Sequence, residues 1–152
     1  MTQLAEIKGL DELLQRMQAY PTELVKTMAV GMSASLNIFW EKVPPYPKQD
    51  PGARYRRTGT LGRSLGSSES GGATSDAPSI YKVKSLGQGN FEGTFGTNLE
   101  YAHWVIGEKQ AGMHSSNWWN IQTIAFRAAD KVEKLWNDIA EKLAKFLEGK
   151  NG

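Results

Sequence analysis

The stretch IYKVKSLGQGNFEGTFGT, residues 80–97, decides the fold. Side-chain type alternates along both of its halves. Tyr81 and Val83 fall on one face of the first half, Lys82 and Lys84 on the other. In the second half, Phe91, Gly93 and Phe95 oppose Glu92 and Thr94. A period of two marks a strand with one face covered and one wet. The GQGN between the halves supplies the residues a tight turn needs. The stretch therefore predicts an antiparallel hairpin. Its polar face sets lysines on one strand against a glutamate on the other, where cross-strand pairing is favourable.

After the hairpin, LEYAHWVIG (99–107) crowds Leu99, Tyr101, Ala102, Trp104, Val105 and Ile106 together, as a short buried helix or strand. EKQAGMHSSN (108–117) reads as a polar loop. From Trp118 to about Leu147 the apolar residues Ile121, Ile124, Ala128, Val132, Leu135, Ile139, Leu143 and Phe146 follow helical spacing. Ser115 or Ser116 is the expected cap of this helix, and Gly149 is expected just past its end.

On the N-terminal side, GLDELLQRMQAY (9–20) spaces Leu10, Leu13, Leu14 and Met17 as one helical face. Pro21 is expected to end that helix or bend it, and is well placed to begin another. Residues 22–42 then carry a stripe of Leu24, Met28, Met32, Leu36 and Phe39. This predicts a helix roughly 30 Å long. Its middle is lined by Ala29, Gly31, Ser33, Ala34 and Ser35, small residues that permit close approach of another element.

Between this helix and the hairpin lies a different composition. Pro44, Pro45, Pro47 and Pro51 exclude helix and favour a stiff, extended path. TGTLGRSL (58–65) is either a short helix capped by Thr58 or Thr60, or the start of a strand. GSSESGGATSDAPS (66–79) reads as a mobile loop. With 152 residues the chain suits one domain. The predicted fold is α+β: N-terminal helices and a long C-terminal helix packed on a small antiparallel sheet. A Pro/Arg-rich and Gly/Ser-rich loop region covers about 44–78.

The net charge is only +2. The basic excess is local: residues 44–65 hold Lys48, Arg54, Arg56, Arg57 and Arg63 against Asp50 alone. This cluster admits three roles. It can contact phosphates, pair with acids of a neighbouring subunit, or form a solvated basic loop. Tyr46 and Tyr55 lie within reach for stacking on bases, but no nucleic-acid-binding motif surrounds them. The pair Trp118–Trp119 has two readings: Trp118 enters the core while Trp119 covers a neighbouring chain, or both cap the helix packing, with a core role favoured. On a helix the two cannot face the same way, so one of them is expected at an edge or an interface.

The search for catalysis is negative. Cysteine is absent, which removes disulfides and thiol chemistry. His103 and His114 lack metal-binding spacing, and His103 is expected beside Trp104 at a buried edge. Neither a nucleophile elbow nor a P-loop occurs. The expectation is a non-enzyme without metal or cofactor. No apolar run approaches the ~20 residues of a membrane span, and the N-terminus lacks the layout of a secretory signal.

The order of motifs resembles the tail-component proteins of tailed bacteriophages, the tail-completion, neck and virion-morphogenesis proteins. The likeness rests on a proline (Pro44 or Pro45) before Thr58, Gly59, Leu61 and Ser64, and then on Gly96, Tyr101, Ala102, Val105 and Gly107. It spans about residues 9–145. Three departures stand out. Ile106 replaces an acid common before the final glycine, SSNWWNI replaces a proline-containing segment before the last helix, and the insertion from Tyr46 to Arg56 is longer than usual.

The resemblance implies a structural virion protein, made in the bacterial host cytoplasm. It implies a ring, most plausibly a hexamer, at the head–tail junction or the top of the tail tube, through which DNA passes. Implied partners are further copies of itself, other neck and tail proteins, and DNA contacted non-specifically in the lumen, with no membrane. Arg54, Arg56, Arg57, Arg63, Tyr46, Tyr55 and Trp119 are the candidates for subunit-interface or DNA-facing positions. The alternative is a small nucleic-acid-binding module using the basic segment from Arg54 to Arg63.

Overall fold

In the computed structural model, the structure describes residues 21–49, 51–54, 58–65, 79–87 and 89–149. The expected helix at 9–20, Tyr55, Arg56, Arg57 and the loop 66–78 lie outside these residues. The described elements are α1 (Pro21–Glu41), α2 (Thr60–Ser64), β1 (Ser79–Gly87), β2 (Asn90–Thr97), α3 (Ala102–Val105), α4 (Gly112–Ser115) and α5 (Ile121–Gly149).

β1 and β2 pair antiparallel, with Tyr81 opposite Phe95, Val83 opposite Gly93 and Lys84 opposite Glu92. This is the hairpin that the alternation predicts. Gly87 and Gly89 take positive φ at its turn, a conformation nearly free for glycine alone. The Tyr81 face of the hairpin lies on α1. The Tyr81 hydroxyl sits 2.8 Å from Ser33 O and 2.7 Å from Asn37 Oδ1, sharing its proton between two acceptors. Its ring meets Trp40 edge to face. Gly93 lets α1 come close, since a methyl there would lie 2.7 Å from Met32 Sδ.

α5 packs along another side of α1, and the two run antiparallel. Gly31 is contacted by Trp136 and Ile139, while Glu41 lies 3.5 Å from Lys131 near the opposite end of α1. A methyl at Gly31 would stand 2.8 Å from Ile139 Cδ1 and 2.9 Å from Trp136 Cη2. The small-residue stretch therefore receives large side chains. Buried Ser35 donates to Gly31 O within the helix, and Trp136 Nε1 donates to Ser35 Oγ at 3.1 Å. Two polar groups are thus satisfied inside the helix contact.

A second core lies at the far end of the hairpin. Leu61, Leu65, Ala102, Val105, Ile106 and Trp118 are buried together, with Val43, Tyr46, Phe95, Leu99, Trp119 and Ile121 packed around them. α1, the long C-terminal helix and the two-stranded sheet form the α+β architecture.

Several expectations need correction. The long helix begins at Ile121, not Trp118. Asn120 caps it, its Oδ1 accepting from Gln122 N at 2.9 Å, and neither Ser115 nor Ser116 does so. Asparagine at this position satisfies a helix-start N–H that nothing else reaches. The helix also runs through Gly149 instead of stopping before it. Within the expected polar loop, residues 112–115 form a helical turn. Finally, of the crowded apolar residues at 99–106, Tyr101 and Trp104 are exposed. A helix of four residues presents only one face to the core, and Ala102, Val105 and Ile106 fill it.

Candidate functional site

The sequence motifs meet around the second core. α2 starts from Gly59, whose φ of 74° is left-handed and costs a side-chain-bearing residue energy. Thr58 and Thr60 share a hydroxyl–hydroxyl hydrogen bond of 2.7 Å. The N-cap position belongs to Gly59, which has no side chain to cap with, not to either threonine. Leu61 and Leu65 are each 2% exposed, one helical turn apart on the inner side. Ser64 is fully buried, and its hydroxyl donates to Leu61 O at 2.8 Å. A five-residue helix is too short to hold itself together. Burial of the two leucines stabilises it by about 1.5–3 kcal/mol each.

α3 supplies the other half. Ala102 and Val105 face the leucines, and the Ile106 carbonyl accepts from Ile121 N at 2.7 Å. Gly107 lies folded against the preceding turn, where a methyl would stand 2.6 Å from His103 Cα and 2.7 Å from His103 O. Its carbonyl accepts from the Asn120 side chain. Gln110 donates from one amide to both Val105 O and Trp118 O, binding α3 to the segment before α5. No residue pattern in the sequence singled out Gln110 or Asn120; both sit in what reads as polar loop. Gly96 is buried, yet a methyl there would meet nothing within 4 Å, so packing does not explain a glycine at that position.

The candidate interface residues fall in several places. Arg63 turns back on its own segment, donating to Thr58 O at 2.8 Å and to Thr60 Oγ1 at 3.2 Å. Arg54 is exposed. Tyr46 is half-buried and meets Trp118 edge to face at 5.0 Å. Trp118 is in the core. Trp119 is not on the helix, so helical geometry does not separate the pair. It is half-buried and packs on the same core, with its indole N–H buried and without a hydrogen-bond partner among the described residues.

Tyr101 stands beside this site; though the residue is exposed, partial burial of its hydroxyl raises its pKa above the ordinary value, and Arg63 pulls it back in part. His103 lies against Trp104, ring centres 4.6 Å apart. Both are exposed, so the expectation of a buried edge is corrected. Trp104 and Met113 put large apolar side chains on the surface of α3 and α4, which pack together.

An open groove of about 320 Å³ runs between α1, β2 and the start of α5. Leu36, Phe39, Phe95, Ile121 and Ile124 line it, and Gln122 is its one polar side chain. It brings together no acid–base pair of the kind a catalytic pocket needs. Among the described residues no three His, Asp or Glu side chains gather where they could hold a metal ion. None of the described helices is long and apolar enough to cross a membrane. No family model, curated protein or solved structure matches the chain.

Proposed function

We propose that the chain is a structural subunit of a tailed-phage virion. It acts as one member of a ring, most simply sixfold, at the head–tail junction or the top of the tail tube, through which DNA passes. The observation that supports this reading is the joint core of the two motifs. Thr58, Gly59, Leu61 and Ser64 lie some 40 residues before Tyr101, Ala102, Val105 and Gly107. Yet Leu61 of the first motif and Ala102 and Val105 of the second are buried in one cluster. A segment built this way serves as a fixed platform from which neighbouring loops reach other subunits. Other neck and tail proteins are the remaining partners, and DNA is contacted without sequence preference.

Native mass spectrometry and electron microscopy of the purified chain test the reading. The expected result is a closed ring that forms with rising concentration. A chain that stays monomeric up to millimolar concentration overturns it. The alternative, a nucleic-acid-binding module, has less support, because the Arg63 guanidinium is engaged with Thr58 and Thr60. Strongly salt-dependent binding of duplex DNA by the monomer would restore that alternative.

A further inference from the structure

Among the described residues the hairpin has two open edges. Among the described residues β1 and β2 pair only with each other. The outer side of each strand therefore carries main-chain N–H and C=O groups with no ladder partner from a third strand. The strands are nine and eight residues long, and neither contains proline. Their one irregularity sits at the turn, between Ser85 and Gly87. These are long edges with little to block pairing, in a sheet of only two strands, which is marginal on its own.

The two edges also differ in charge. On the face away from α1, β1 shows exposed Lys82 and Lys84 and has no acid anywhere in the strand. β2 shows exposed Glu92 and has no base. One edge is basic and the other acidic.

We propose that the β1 edge of one copy pairs with the β2 edge of the next, joining the hairpins into one continuous sheet. Direction and charge both fit. Copies related by rotation about a ring keep every β1 pointing one way and every β2 the other. A β1 beside the next copy's β2 is then antiparallel, as within the hairpin. Lys82 and Lys84 of one copy come beside Glu92 of the next, repeating the Lys84–Glu92 juxtaposition already present within each copy. The contact is head to tail, so it closes when the rotation closes, and closure leaves no strand edge open. Among the described residues α1 packs on one face of the sheet, and the face bearing the lysines and Glu92 is exposed. This inference rests on the ring proposed above.

Charge complementation tests it. Lys84→Glu sets two carboxylates beside each other, and Glu92→Lys sets two ammonium groups beside each other, within a copy and between copies. Each variant alone is expected to raise the concentration at which rings half-form by about tenfold. An equimolar mixture is expected to assemble like the wild type, because alternating copies restore opposite charges at every contact between subunits. Mixing cannot repair a defect confined to one hairpin. The absence of cysteine permits a second measurement that does not depend on charge. Lys84→Cys and Glu92→Cys chains, both altered at exposed positions, are assembled together and oxidised. Covalent dimers are expected from the mixture and not from either variant alone. If the wild type forms rings but the mixture gives neither rescue nor cross-links, edge pairing is overturned while the ring reading stands. A wild-type chain that never assembles overturns both.

Discussion

Gly107 shows how one residue ties a motif to its geometry. The atoms that a methyl would strike belong to the backbone of His103, so no side-chain rotation relieves the clash. Gly107→Ala is expected to lower unfolding free energy by about 2–3 kcal/mol in chemical denaturation. Gly96→Ala, with open space around the added methyl, is the matched control and is expected to change stability little. Tyr101 carries a pH effect of definite sign. Burial raises its pKa above 10.0, against the opposing pull of Arg63. The unfolded chain therefore loses this proton first as pH rises. Stability from this group is complete below the ordinary tyrosine value of 10.0 and declines as pH climbs from there through the folded-state value. Tyr101→Phe is expected to remove that part of the alkaline loss, seen as a flatter dependence of the denaturation midpoint on pH in that range.

At the scale of elements, α1 organises the described structure by offering different faces to two partners. Met32, Ser33 and Asn37 meet the hairpin, while Gly31 and Ser35 meet α5. Gly31 makes the second contact possible, because the rings and methyls of α5 occupy the space a side chain would need. Gly31→Val is expected to cost about 1–3 kcal/mol by forcing α5 outward. Loss of the Trp136–Ser35 hydrogen bond should accompany it, and a change in tryptophan fluorescence would report that loss. An unchanged midpoint with unchanged fluorescence would show that α5 is not held where Gly31 places it. α2 and α3 behave differently. Each is only a turn or so long, and neither can persist without the shared core.

At the scale of the molecule, two packing centres divide the work. The α1–α5 contact and the hairpin on α1 form one; the joint core of α2, α3 and Trp118 forms the other. Ile121 links them, packing on the second core and also lining the groove beside Leu36 and Phe39. Large apolar side chains remain outside both centres, with Trp104, Met113 and Phe126 among the most exposed. Among the described residues these side chains and the two hairpin edges are left uncovered. This is the condition expected of a subunit whose final environment is other subunits.

The sequence by itself determined the hairpin, its polar face, the helix at 22–42 and most of the C-terminal helix. These follow from periodicity, which is local chemistry repeated along the chain. Leu61 and Leu65, four apart amid polar residues, suit one helical turn held by a core, and both are buried. Only the tertiary structure decided the rest. The start of the long helix moved from Trp118 to Ile121 because Trp118 is drawn into a core that includes Leu61 and Leu65, far away in sequence. Tyr101 and Trp104 stayed outside because a four-residue helix has one inner face, and smaller side chains took it. Arg63 bonds to its own segment because the turn at Gly59 brings Thr58 within reach. Such outcomes depend on which distant surfaces meet, and local spacing holds no record of that.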